Sequence, residues 1–258
     1  MNNFEAFILG LLQGLTEFLP VSSSGHIELG KHVLGTQVEE DVTFTVVVHA
    51  ATVISTLIVF RKDILDLLRK ACAFQWNEST EYLLKIGISM IPVAILGIFF
   101  QDIIKSFFDG NIVFVGSMLL VTSALLGFTY FAKNSNANIT YAKAFIIGIA
   151  QAVAVLPGIS RSGATIATGL LIGVDKTEIA RFSFLMVIIP ILGGNFLELL
   201  KGDMAGSNIG ILPLLIGFFT ALASGLVACR AMIHIVKNSK LIYFSLYCFA
   251  VGLMAILF

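Results

Sequence analysis

The sequence predicts an all-α polytopic membrane protein built from two inverted-topology repeats, with six transmembrane helices and two re-entrant helical hairpins. Composition is the first ground: 57% of the 258 residues are hydrophobic, only 12% are charged, and the mean hydropathy is +0.96, which excludes an ordinary soluble domain. Run length is the second. Apolar stretches near the roughly 20 residues needed to cross the hydrocarbon core alternate with paired stretches that are too short to do so. Internal repetition is the third: Ala6-Phe7-Ile8-Leu9-Gly10-Leu11-Leu12-Gln13 reads against Ala144-Phe145-Ile146-Ile147-Gly148-Ile149-Ala150-Gln151, and Ser22-Ser23-Ser24-Gly25 against Ser160-Arg161-Ser162-Gly163. The register is shared, because 151 − 13 and 163 − 25 are both 138. The split falls near 134–138, giving a first repeat over 1–133 and a second over 139–258 within one membrane domain.

The apolar run 4–18 falls short of a crossing, Pro20 to Gly25 interrupts it, and 27–34 is shorter still before the acidic run 39–41. The spacing predicts a re-entrant hairpin over 4–34. Non-helical backbone at membrane depth is tolerated only when packed in protein or lining a wet cavity, so the turn is a candidate site. Spans follow at 42–60, closed by Arg61 and Lys62, and at 82–100 and 112–131, with a kink expected at Pro92. Between the first two, Ile64, Leu65, Leu67 and Leu68 form a short amphipathic piece suited to the interface. The second half repeats the plan with a hairpin over 142–174, turning at 157–163, and spans at 179–200, 209–235 and 241–258, with kinks expected at Pro190 and Pro213.

Three spans separate the hairpins, so the second enters from the opposite face, and the two turns can meet near the midplane. Arg61, Lys62, Arg69, Lys70, Lys133, Lys143, Lys176, Lys237 and Lys240 fall on one side, against Lys31, Lys105 and Lys201 on the other. By the positive-inside rule the basic loops are cytoplasmic, both termini are outside, and the first hairpin opens to the outer face.

Formal net charge is zero and no basic cluster points to nucleic acid. Cys72, Cys229 and Cys248 show no metal or redox spacing and read as reduced packing residues. The N-terminus carries Glu5, Gln13 and Glu17 and no basic residue before its apolar run, which is not the pattern of a cleaved signal peptide. Nucleotide-loop, zinc and haem motifs are absent from the sequence.

The polar residues cluster at the two turns. Gln13 and Glu17 lie four apart, on one face of the first half-helix. One reading is a polar face bonded to a neighbouring helix; the other is a carboxylate that holds a divalent cation or takes a proton. Ser22, Ser23, Ser24 and His26 follow the turn and open a helix, whose unpaired N–H groups and positive dipole end suit an oxyanion. Plain N-capping by Ser22 or Ser23 explains one serine. It does not explain His26, which with a hydroxyl and a carboxylate makes a set for nucleophile activation or proton transfer. Arg161 sits between Ser160 and Ser162 in an interrupted membrane segment, where it needs an anion. That anion is either Glu17 or the oxygens of a phosphate, with Ser160, Ser162 and Thr165 adding donors. His49 can line the cavity but has no local partner in sequence, and His32 and His234 lie near helix ends, at the interface.

With these residues in place, the chain resembles the undecaprenyl-diphosphate phosphatase family of bacitracin-resistance membrane phosphatases. The resemblance lies in Gln13 to Glu17, in Phe18-Leu19-Pro20-Val21-Ser22-Ser23-Ser24-Gly25-His26, in Pro157-Gly158-Ile159-Ser160-Arg161-Ser162-Gly163-Ala164-Thr165, and in Arg181 to Leu185 with Pro190. It implies hydrolysis of undecaprenyl diphosphate to undecaprenyl phosphate and inorganic phosphate at the bacterial plasma membrane, recycling the cell-wall lipid carrier and conferring bacitracin resistance. A divalent cation, Mg²⁺ or alternatively Ca²⁺, is implied as cofactor. Carried over by position, Glu17 is the metal or base carboxylate, Ser23 and His26 are the nucleophile and acid/base candidates, and Arg161 with Ser160 and Thr165 is the diphosphate clamp. Gln13 departs from the Glu of many members and would ligate metal through its amide oxygen, without adding charge. The partners implied are the prenyl diphosphate and membrane lipid, and a second copy as a homodimer is a further candidate. The competing class is a secondary transporter or flippase of a phosphorylated lipid, since inverted repeats with midplane hairpins also serve carriers.

Overall fold

The computed structural model describes residues 1–34, 42–73, 75–107, 110–132, 135, 137–201, 209–238 and 240–257, and the described residues form helices and no strand. The acidic run 39–41, Lys133, Asn134 and the side chains of Lys105, Glu198 and Lys201 lie outside what is described. Helix α1 (Asn3–Phe18) starts on a capping box: the Asn2 side chain accepts from the Glu5 N–H at 2.9 Å and the Glu5 carboxylate accepts from the Asn2 N–H at 2.8 Å. It stops at Leu19, which is extended ahead of Pro20 as a residue before proline prefers. After the turn comes α2 (Ser23–Leu34), then α3 (Val42–Val59) and α4 (Arg61–Ala71), which bends away by 74° at Phe60. Asn77 caps α5 (Glu78–Phe99), accepting from the Ser79 and Thr80 N–H groups. A short α6 (Gln101–Ser106), which the sequence does not predict, leads to α7 (Ile112–Phe128) and its closing 3₁₀ turn Thr129–Phe131. The second half holds α8 (Tyr141–Val153), α9 (Arg161–Leu171), α10 (Lys176–Met186), α11 (Ile188–Lys201), α12 (Ile211–Lys237) and α13 (Ile242–Leu257).

Four stretches are long and apolar enough to cross a bilayer, namely Glu78–Phe99, Ile112–Phe131, Lys176–Leu197 and Ile211–Lys237, or five if the bent pair Thr43–Val59 and Arg61–Ala71 counts as one. With the composition, this makes the chain an integral membrane protein. The span expected over 179–200 corresponds to Lys176–Leu197, whose helix is interrupted at Val187, three residues before Pro190. One expectation needs correction: Pro213 lies in the first turn of α12, where a missing N–H forfeits no bond, so it starts a helix rather than bending one. Pro92, by contrast, lies inside α5.

Helices approach closely where small residues face each other, as expected without a hydrophobic drive between apolar surfaces in lipid. A Cβ on Gly10 of α1 would lie 2.6 Å from the Gly217 carbonyl oxygen of α12, and one on Gly148 of α8 would overlap the Ser89 carbonyl of α5. Gly116 of α7 and Gly252 of α13 meet reciprocally, each hypothetical Cβ 2.8 Å from the other's carbonyl oxygen. Shifting residue numbers by 138 carries Gly10 onto Gly148 and places α5 over most of α12, so the α1–α12 and α8–α5 pairings mirror each other. The main apolar core, with Phe18, Leu119, Ile166, Phe182, Phe184 and Met232, packs behind the two short-helix turns. At the edge of α4, Asp63 pairs with Arg181 of α10 at 2.9 Å, and the guanidinium lies over the Tyr82 ring at 5.4 Å. Both charged groups are more than a third exposed, so this pair orients α4 without adding much stability.

Candidate active site

The two turns between short helices abut. A Cβ on Gly25 would lie 3.1 Å from the Gly158 Cα, one on Gly163 would lie 3.3 Å from the Pro20 Cβ, and the Ser162 hydroxyl donates to the Leu19 carbonyl at 3.3 Å. Each turn needs a left-handed residue to reverse so sharply. In the second it is Gly158 at φ +98°; in the first it is Ser22 at φ +71°, a conformation that costs a non-glycine residue. Ser22 is held there by its own bonds, since its hydroxyl accepts from the Gly25 N–H at 3.3 Å and its carbonyl from the His26 N–H at 3.1 Å. The second turn is tied from α7: the Thr122 hydroxyl donates to the Gly158 carbonyl at 2.9 Å and accepts from the Ser160 N–H at 3.0 Å.

Glu17, on the last turn of α1, joins the two turns. Its Oε2 accepts from the Ser23 hydroxyl at 2.7 Å and from the Gln13 amide at 3.0 Å, while Oε1 lies 3.2 Å from Arg161 Nη2. The carboxylate thus bridges the hydroxyl of one turn to the guanidinium of the other. The Glu17 side chain is 6% exposed and the Arg161 side chain 27%, so the pair is shielded yet open to an approaching anion on the Arg161 side. One Nη contact uses one of five guanidinium donors, and among the described residues no other acceptor takes the rest. The adjoining cavity is lined by Glu17, Thr52, Thr56, Arg161, Ser162 and Thr165 above an aromatic base in which Phe18 and Phe60 pack on Phe184 at 5.9 and 6.0 Å between ring centroids.

The remaining sequence candidates divide. Ser160 accepts from the Gly163 N–H at 3.1 Å and Ser22 plays the same part for Gly25, so these two hydroxyls cap helices. Their neighbours Ser162 and Ser24 lie 3.3 and 3.4 Å from them, oxygen to oxygen. With Gly25 and Gly163 capped, Ser23 and Ser24 on α2 and Arg161 and Ser162 on α9 supply the first-turn N–H donors that an anion can use. Thr165 bonds to the Arg161 carbonyl at 2.9 Å and to Ser183 at 2.6 Å, which fixes the start of α9. His26 reaches a hydroxyl, but that of Tyr247 rather than of a turn serine, with Nε2 at 2.9 Å and the two rings stacked at 5.6 Å, while Nδ1–H bonds to the Ser22 carbonyl at 2.8 Å. Both ring nitrogens are engaged, and the group bonded to the Ser23 hydroxyl is Glu17.

Two neighbours of the site have partners that a sequence reading does not give, Tyr247 and His49. His49 Nε2 lies 4.0 Å from Glu17 Oε2. The signal available for it is a polar stripe, Thr45, His49, Thr52 and Thr56, at helical spacing along the otherwise apolar α3.

Among the described residues no three His, Cys, Asp or Glu side chains converge as metal ligands. A cation with hard oxygen ligands still fits, because the Gln13 amide beside Glu17 carries an Oε1 that is buried and without a hydrogen-bond partner. One carboxylate and one amide oxygen suit an ion such as Mg²⁺, which takes its other ligands from water and substrate phosphate.

Fold and site define an integral membrane protein in which two turns between short helices bring a carboxylate, a hydroxyl and a guanidinium together inside the helical bundle. The family model described as bacitracin resistance protein BacA matches residues 6–254, and the chain belongs to that family. Relatives named undecaprenyl-diphosphatase include one from Christiangramia forsetii, 53% identical over 100% of this chain and 98% of its own length, and one from Bacteroides fragilis, 52% identical over 99% and 98%. A protein of the same name from Salinibacter ruber is 39% identical over 98% of this chain and 97% of its own.

Proposed function

We propose that the chain hydrolyses undecaprenyl diphosphate to undecaprenyl phosphate and inorganic phosphate, returning the cell-wall lipid carrier to use and conferring bacitracin resistance. The observation that carries the reading is the Glu17 carboxylate, bonded on one oxygen to the Ser23 hydroxyl and on the other to Arg161. A carrier needs a place to bind a head group; a hydroxyl held at 2.7 Å by a carboxylate is the arrangement of a nucleophile with its base.

Catalysis of phosphoryl transfer is mostly positioning and neutralisation of charge. The diphosphate is held between the first-turn N–H groups of α2 and α9 and the Arg161 guanidinium. Glu17 takes the Ser23 proton as Oγ forms a bond to the terminal phosphorus, and the bond from that phosphorus to the bridging oxygen breaks. Undecaprenyl phosphate leaves with the electron pair of that bond. Water then attacks the phosphoserine, releasing phosphate and restoring the Ser23 hydroxyl. Of the three candidate attackers, Ser23, His26 and water, the bond to Glu17 favours Ser23. His26 holds the first turn through Ser22, and Ser160 and Thr165 hold Arg161 in place. A divalent cation, Mg²⁺ in this reading, would be held by Glu17 and Gln13 and would supply further neutralisation of the phosphate oxygens.

In the membrane, the chain is read as six spans and two re-entrant hairpins related by inverted topology, with repeats over 1–133 and 139–258. The mirrored pairing of α1 with α12 and of α8 with α5 supports this reading. The basic loops are assigned to the cytoplasm, both termini to the outside, and the site opens to the outer face of the bacterial plasma membrane.

The test is phosphate release from purified protein in detergent micelles, without gradient or membrane potential. The reading predicts one phosphate per undecaprenyl phosphate formed. A folded sample that binds the lipid and releases no phosphate would favour the transporter or flippase.

A further inference from the structure

Nothing in the proposed reaction uses His49, yet its geometry is that of an oriented ligand. Nδ1 lies 2.8 Å from the Thr45 carbonyl, an acceptor, so Nδ1 carries a proton and, in the neutral ring, Nε2 holds the lone pair. Nε2 faces Glu17 Oε2 across 4.0 Å, too long for a hydrogen bond. In that neutral form two electron-rich atoms stand face to face and repel unless a positive species, a proton on Nε2 or a metal ion, lies between them. The separation is just under twice a metal–donor bond of about 2.1 Å, the span over which two atoms can share one ion. A second observation converges here: the Gln13 amide, wholly buried and bonded to the same Glu17 oxygen, carries an Oε1 with no hydrogen-bond partner.

We infer that His49 Nε2 is a third protein ligand of the cation site formed with Glu17 and Gln13. The contact of Nδ1 with a backbone carbonyl is the outer bond that commonly fixes a ligating histidine. A set of one carboxylate oxygen, one amide oxygen and one imidazole nitrogen carries a single negative charge. The nitrogen makes it favour transition-metal ions such as Co²⁺ or Mn²⁺ over Ca²⁺, which prefers oxygen alone.

This rests on the proposal that a divalent cation binds at Glu17, and its test does not depend on turnover. The probe is Mn²⁺ added to purified full-length protein in nanodiscs with methylenediphosphonate, read by electron spin echo modulation from directly bound ¹⁴N. Wild type is expected to show imidazole nitrogen modulation that disappears in His49→Gln and persists in His26→Gln. The affinity of His49→Gln for Mn²⁺ is expected to fall about tenfold or more while its affinity for Ca²⁺ changes little. Modulation that survives in His49→Gln, wild-type Mn²⁺ bound without nitrogen, or failure of Mn²⁺ to bind would overturn the inference. Phosphate release from undecaprenyl diphosphate by the same wild-type preparation, with Mn²⁺ and without the diphosphonate, separates the two failures: turnover without nitrogen coupling sinks His49 alone, while no turnover sinks the phosphatase reading.

Discussion

Replacing Arg161 by alanine separates a structural ion pair from a working clamp. The guanidinium lies 3.2 Å from Glu17, whose side chain is 6% exposed, so its removal strands a shielded carboxylate. Breaking a buried pair costs about 3–5 kcal/mol, and because the Arg161 side chain is itself 27% exposed, the lower end of that range applies. Loss of an arginine that neutralises a transferring phosphoryl group lowers turnover by roughly 10³- to 10⁵-fold, or about 4–7 kcal/mol of barrier. The two effects are read separately, thermal unfolding in nanodiscs giving the first and phosphate release below the Tm giving the second. Arg161→Lys keeps the charge and loses the planar fork, so it should recover stability more fully than turnover. If Arg161→Ala unfolds earlier yet releases phosphate at the wild-type rate per folded molecule, the guanidinium serves only to balance Glu17 and the clamp is wrong.

Three further outcomes follow from the geometry. Gly148→Ala should lower the Tm, since the new methyl overlaps the Ser89 carbonyl and overpacking costs about 1–3 kcal/mol; Gly87→Ala on α5, with nothing within 4 Å of its Cβ position, should not lower it. Thr122→Val leaves the Gly158 carbonyl and Ser160 N–H without their partner, costing about 1–3 kcal/mol, and phosphate release should fall as the second turn loosens. Chelator-treated enzyme should lose phosphate release and regain it with added Mg²⁺, and undiminished turnover in excess chelator would remove the cation from the account.

Much of this was legible in the sequence because the bilayer is a strict solvent. It makes apolar run length and broken spans readable, and it makes Glu17, Ser23 and Arg161 conspicuous as polar groups in an apolar background. The 138-residue register relates the two turns in the sequence itself. What escaped is set by tertiary packing. Pro213 falls in the first turn of α12, where run length alone places it inside a span over 209–235. His49 and Tyr247 come from α3 and α13, distant in sequence from the turns they touch, and nothing local marks their partners. The same holds for His26: its spacing from Ser22 suggests reach toward a turn hydroxyl, whereas the left-handed turn presents the Ser22 carbonyl to its ring.

The central claim is that the serine of the first turn attacks a phosphorus held by the arginine of the second. It is tested most directly by quenching the enzyme during turnover of undecaprenyl diphosphate labelled in its terminal phosphate and mapping the label by peptide mass spectrometry. The account predicts transient label on Ser23, absent from Ser23→Ala and suppressed in Arg161→Ala. Full-rate turnover by Ser23→Ala, with no label on the protein, would contradict it.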